Sequence, residues 1–158
     1  IIIIFFLFYL INLFQKSFLG DNGVYVISVF VSIYVINYIN LNNDISPLLA
    51  LNLLWYPAFE NLFTILRRLN NRRTVDVADG LHFHTLLLKK IFYLNKNFYL
   101  SNSLTGLLLN LFMFVGIFFS INYYNDARVL TFILMMNVLI YVLFYFIYLS
   151  RKMKFKSH

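Results

Sequence analysis

The sequence predicts an all-α fold: a polytopic transmembrane helical bundle of about five spans, with one further helix at the membrane interface. Three observations predict it. The 158 residues are 61% hydrophobic and only 12% charged, about half the charged share of a soluble domain, and the mean hydropathy is +0.76. Apolar stretches recur at lengths near the roughly 20 residues that a helix needs to cross a bilayer. When those stretches are threaded alternately, the basic residues sort onto one face.

The first stretch, residues 1–14, opens on Ile1-Ile2-Ile3-Ile4. No basic region precedes it and no small-residue cleavage site follows, so it does not read as a signal peptide. It reads as a cut span, which makes residues 1–158 a single integral-membrane domain and the C-terminal part of something longer. The second stretch, residues 24–39, is short, and Tyr38 and Leu41 extend it toward the interface. The third, residues 47–66, contains Pro57 and is expected to kink there, as neighbouring helices allow. The fourth and fifth, residues 104–121 and 129–149, approach or exceed the length needed for a hydrocarbon core of about 30 Å. Between the third and fourth, residues 86–100 place Lys89, Lys90 and Lys96 among Leu87, Leu88, Ile91, Phe92 and Leu94. That pattern suits an amphipathic helix at the interface, or an extension of the next span.

Charge supplies orientation. Lys16, Arg67, Arg68, Arg72, Arg73, Lys89, Lys90, Lys96, Arg151, Lys152, Lys154 and Lys156 fall on one face, and Arg128 alone on the other. The positive-inside rule makes the first face cytoplasmic, with the C-terminus inside. The net charge of +7 is thereby read as topology and contact with membrane lipid, and no nucleic-acid partner is expected. The absence of cysteine excludes a disulfide scaffold and any thiolate metal site.

With six acids in the chain, each can be weighed. Asp44 and Asp126 sit in the short outer connections and suit solvent. Asp21 lies in Phe18-Leu19-Gly20-Asp21-Asn22-Gly23, where Gly20 and Gly23 permit a tight turn and close backbone approach. The span that follows points its N-terminus at this corner, an arrangement suited to phosphate. A carboxylate there is the hard oxygen ligand that Mg²⁺ uses together with substrate phosphates; the plainer reading is a helix cap. Glu60 stands three residues after Pro57 and has to face a bundle interior or a polar cavity, or pair with Arg67 and Arg68. The loop that follows carries Arg72, Arg73, Asp76, Asp79, His82 and His84. His-x-His without a third ligand makes zinc weak, and arginines beside histidines suit recognition of anionic phosphate. The alternative is a basic loop resting on anionic headgroups.

Taken in order, Phe18-Leu19-Gly20-Asp21-Asn22-Gly23, then Pro57-Ala58-Phe59-Glu60 with Arg67-Arg68, then Asp79-Gly80-Leu81-His82-Phe83-His84 resemble one family over about residues 14–122. It is the polyprenyl-phosphate sugar-1-phosphate transferases, glycosyltransferase family 4, which start O-antigen, teichoic acid and peptidoglycan lipid intermediates. The likeness is to the C-terminal half.

The resemblance implies a helical membrane enzyme of the cell inner (plasma) membrane whose site faces the cytoplasm and uses Mg²⁺ (or Mn²⁺). It implies attack by a polyprenyl (undecaprenyl) phosphate oxygen on the β-phosphorus of a UDP-sugar, with UMP leaving. Asp21 then matches the metal-associated aspartate, and His82 and His84 match histidines lining the diphosphate site, these three being the catalytic candidates. Gly20, Gly23, Asp79, Arg72 and Arg73 are the substrate-binding candidates, with Asp79 matching the acid that opens the histidine loop. A homodimer is compatible with the resemblance.

Val24 stands where many members have serine, and Thr85 where many have a third histidine. The paired aspartates and asparagine-rich loop of the family's N-terminal half are not in this sequence, which implies that this part alone is inactive. The His-x-His form and the Pro57–Arg68 pattern look more like the N-acetylhexosamine-1-phosphate branch than the muramoyl-pentapeptide branch. The competing class is a multi-pass transporter or energy-coupling membrane subunit, which predicts acids near the mid-plane of several spans. A purely structural membrane subunit leaves the gathering of Asp21, Asp79, His82 and His84 without a reason.

Overall fold

A computed structural model describes residues 2–14, 16, 17, 20–70 and 80–155, with the side chains of 2–6, 21 and 150–155 outside the description. The described secondary structure is α-helical throughout: α1 (Ile2–Leu13), α2 (Gly20–Leu41), α3 (Leu48–Asn70), α4 (Phe83–Asn95), α5 (Phe98–Asn122) and α6 (Ala127–Phe155).

Among the described residues three helices are long and apolar enough to cross a membrane, over Asn22–Leu41, Phe98–Asn122 and Ala127–Leu149. That is fewer than the five spans expected, and the two shortfalls have different causes. α1 has 12 described residues, about 18 Å of helix against a core of about 30 Å. α3 is long enough at 23 residues, but Asn52, Glu60, Thr64 and Arg68 form a buried polar stripe along it that dilutes its apolar character. The stripe faces inward, where polar side chains find partners. The helices present large apolar side chains outward, among them Phe30, Tyr34, Leu111, Phe118, Phe132 and Leu143. Helices that are apolar on their outer faces suit lipid as solvent.

Pro57 lies inside α3, which is one continuous helix from Leu48 to Asn70. Around residue 96 the chain does break. The Lys96 backbone turns left-handed (φ 55°) and its N–H donates to the Phe92 carbonyl, an αL ending of α4. Asn97 then caps α5 by accepting from the Leu100 N–H at 3.1 Å. α4 is therefore a separate helix rather than an extension of the next span. It packs on α5 and α6 through buried Phe83, Leu86 and Leu87.

Hydrogen bonds fix which ends of the helices lie together. The Asn52 amide of α3 donates to the Leu130 carbonyl of α6 at 3.1 Å, so the two helices start side by side. Just before them, the Ser46 N–H donates to the Tyr124 carbonyl at 2.9 Å, joining the two connections expected on the outer side. At the opposite end, the Ser103 hydroxyl near the start of α5 donates to the Leu13 carbonyl at the end of α1. The segment leading into α2 thus shares its end of the bundle with the α4–α5 junction. α5 and α6 approach closely at Gly116, where a Cβ would lie 2.6 Å from the Asn137 amide nitrogen.

The core is aromatic. Tyr141, fully buried, meets Trp55, Phe59, Phe63 and Phe83 with ring centroids at 6.4, 5.2, 5.7 and 5.1 Å. The first three are edge-on and the Phe83 contact is tilted; edge-on contacts contribute about 0.5–1.5 kcal/mol each beyond area burial. Together these rings hold α3, α4 and α6 in register around one hydroxyl group.

Candidate functional site

That hydroxyl points at an acid. Tyr141 donates to Glu60 Oε2 at 2.6 Å, within the short range of a charge-assisted bond. On the other side of the carboxylate, Oε1 accepts the Phe83 backbone N–H at 3.1 Å and lies 3.1 Å from His82 Nδ1. Thr64 Oγ1, one turn beyond Glu60, is 3.3 Å from the same ring nitrogen. Glu60 and Thr64 share a face of α3 because i and i+4 stack on a helix.

Local geometry explains why His82 turns inward. It is the N-cap residue of α4 with extended backbone (φ −66°, ψ 148°), and its side chain does not cap its own helix. Glu60 takes that part from a different helix. Its carboxylate receives the first N–H of α4, one of the donors that a helix start leaves unpaired, at the positive end of the dipole. The Glu60 side chain is 8% exposed and that of His82 is 28% exposed. The acid is sealed while the imidazole keeps an open edge.

His84 stacks on His82 with centroids 5.5 Å apart and planes 17° from parallel, and it lies on the exposed side of α4. Protein around part of the ring removes water and lowers its pKa from the ordinary imidazole value; the Glu60 carboxylate opposes this and His82 adds to it. Just before α4, the Gly80 carbonyl accepts from the Lys89 ammonium at 3.0 Å.

The Gly20–Gly23 segment is not a loop before a span: it is the first turn of α2. Gly20 has φ +68°, a conformation that favours glycine, whereas Gly23 is not among the positive-φ glycines described. By the end-pairing above, this turn lies at the same end of the bundle as the α4–α5 junction. The side chain of Asp21 lies outside the described residues, as do Arg72, Arg73, Asp76 and Asp79. Among the described residues no group of three or more His, Asp or Glu side chains gathers as a metal site. The described residues therefore do not build a magnesium cage. The cleft between α2, α3 and α5, lined by Tyr34, Tyr38, Leu49 and Tyr124, lies at the end opposite to these residues.

Tyr141 and Thr64 were not singled out from sequence. Thr64 had a usable signal, four residues beyond an acid on the same helix. Tyr141 had a weaker one: a buried carboxylate needs donors, and a tyrosine inside an apolar helix is a donor with an apolar body.

No family model, curated protein or solved structure matches this chain.

Proposed function

We propose that this chain carries the histidine-loop half of a membrane transferase. The enzyme moves a sugar-1-phosphate, N-acetylhexosamine-1-phosphate by the His-x-His form, from a UDP-sugar to polyprenyl phosphate. A lipid phosphate oxygen forms the new bond to the β-phosphorus, the bond from that phosphorus to the bridging oxygen breaks, and UMP leaves with the electron pair. The observation that carries the reading is the corner at the start of α4. There, His82 and His84 stack together, and a buried carboxylate fixes His82.

Phosphoryl transfer needs positioning and charge neutralisation more than covalent help from the protein. In this reading His82 and His84 meet the diphosphate, with Arg72, Arg73 and Asp79 of the preceding loop as further contacts. Asp21 with Gly20 and Gly23 supplies a carboxylate for Mg²⁺ (or Mn²⁺), whose role is to neutralise phosphate charge. The proposed topology is the five-span one in the cell inner membrane, with the histidine corner and the C-terminus cytoplasmic. A homodimer is compatible with it. Glu60 is the one acid buried in the bundle among the described side chains, which supports this reading over a transporter with acids along several spans.

The test uses the full-length polypeptide in membranes, supplied with polyprenyl phosphate and a UDP-N-acetylhexosamine. A lipid-linked sugar diphosphate and an equal amount of UMP are expected, both lost in Asp21→Asn. Movement of solute across the membrane without such a product would favour the transporter.

A further inference from the structure

We propose that Glu60 is a positioning residue that fixes the tautomer and orientation of His82, so that the imidazole presents Nε2 outward. The assignment of His82's ligand rests on the transferase reading above; the assignment of its tautomer does not.

The Glu60 carboxylate has a donor on each oxygen. The Phe83 N–H donates to Oε1 at 3.1 Å and the Tyr141 hydroxyl to Oε2 at 2.6 Å. The ionised carboxylate is an acceptor only, and one donor on each oxygen suits that form. Its contact with His82 Nδ1 at 3.1 Å then requires the proton on Nδ1. The Thr64 hydroxyl at 3.3 Å is a second acceptor for that proton. Nε2, on the far side of the ring, has no hydrogen bond to any described residue. In the neutral ring it is the basic nitrogen, and in the imidazolium it is a donor. Either form suits a phosphate or a phosphate-bound proton, and the inner edge of the ring is committed in both.

Position supports the same conclusion. Glu60 lies 12 residues from the first residue of α3, about 18 Å along the helix, and is buried among the aromatic rings around Tyr141. A carboxylate in such a place is costly unless it is paired and hydrogen-bonded. An arrangement serving packing alone needs no imidazole with one edge in solvent. A carboxylate that orients a histidine by its Nδ1–H while Nε2 does the work is a recurrent device in general acid–base sites.

The test is ¹⁵N NMR of the full-length protein labelled at histidine, under alkaline conditions where imidazole is neutral, combined with transfer kinetics. His82 is expected to show a protonated Nδ1 and an unprotonated Nε2. Glu60→Gln keeps the shape but offers a weaker neutral acceptor. It should mix the tautomers and lower kcat by about 10- to 100-fold, the scale of one charge-assisted hydrogen bond, while KM for the UDP-sugar changes far less. Thr64→Val should act in the same direction by a smaller factor. If Glu60→Gln does not accumulate as folded protein, Glu60→Asp, which keeps the charge but draws the carboxylate back from His82 Nδ1, carries the same comparison. A protonated Nε2 in the parent protein would overturn the proposal. So would variants that lose stability yet keep the parent's turnover per folded molecule and its His82 tautomer. Failure of the parent to make any lipid-linked sugar would remove the transferase reading and leave the tautomer result standing.

Discussion

The Glu60 carboxylate on α3 and the His82 imidazole at the start of α4 stand 3.1 Å apart, 22 residues distant in the chain. Neither side chain takes its hydrogen bonds from its own helix. His82 leaves the N-cap of α4 unserved by its side chain, and Glu60 serves it through the Phe83 N–H. The contact joins two sequence motifs, Pro-x-x-Glu and His-x-His, into one structural unit.

The hydroxyl of Tyr141 is expected to contribute to stability through that unit. Tyr141→Phe removes the donor to Glu60 Oε2 and retains the ring contacts. The expected loss is about 1–2 kcal/mol, between the values for hydrogen bonds to charged groups and those within membrane bundles. Thermal unfolding in detergent measures it. A variant as stable as the parent would mean that the bond does not hold the carboxylate.

Histidine 84 should titrate low. Desolvation places its pKa below the ordinary imidazole value, with Glu60 raising it and His82 lowering it. Glu60→Gln should therefore move the midpoint further down, and His82→Ala should move it up. The sign for stability follows from a folded pKa below the unfolded one of about 6.5. The contribution is present above that pH and is lost as pH falls through the folded value. An NMR titration of His84 gives each direction, and a midpoint above the ordinary imidazole value would contradict the assignment.

Topology is open to reporter fusions. Asn43 and Asp126 lie in the two connections joined by the Ser46–Tyr124 hydrogen bond and should both read outside. Fusions at Arg73 and His158 should read inside, by the positive-inside rule. If Arg73 reads outside, the histidine corner is on the wrong side of the membrane for a UDP-sugar.

Much of the helical order was legible in the sequence because lipid-facing helices need long apolar runs, and loops break those runs visibly. Residues 129–149 fall within α6 and residues 104–121 within α5. What was less legible follows from burial. Asn52, Glu60, Thr64 and Arg68 lower the apolarity of α3 while pointing into the bundle, so a membrane-length helix fails a test of apolarity. The site was legible as motifs and not as contacts. From sequence Glu60 needs a bundle interior, a polar cavity or an arginine partner, but its partners come from α4 and α6, and sequence spacing cannot register helices separated by loops. The apolar pattern starts the second span only after the glycine–aspartate segment, whereas α2 already includes Gly20.

That the start of α4 receives the diphosphate of a nucleotide-sugar is what the proposed function demands of this molecule. It is tested most directly by transfer kinetics of His82→Ala and His84→Ala beside Arg73→Ala, in membranes containing the full-length protein and a UDP-N-acetylhexosamine donor. Loss of one charge-assisted hydrogen bond to phosphate corresponds to about 1.5–3 kcal/mol, roughly 10- to 150-fold. An arginine that touches lipid headgroups contributes about 1 kcal/mol and is sensitive to salt. A deep, salt-insensitive loss is expected for both histidine variants and a mild one for Arg73→Ala. Equal, small and salt-sensitive losses in all three would mean a basic loop resting on anionic lipid, and would contradict the proposed function.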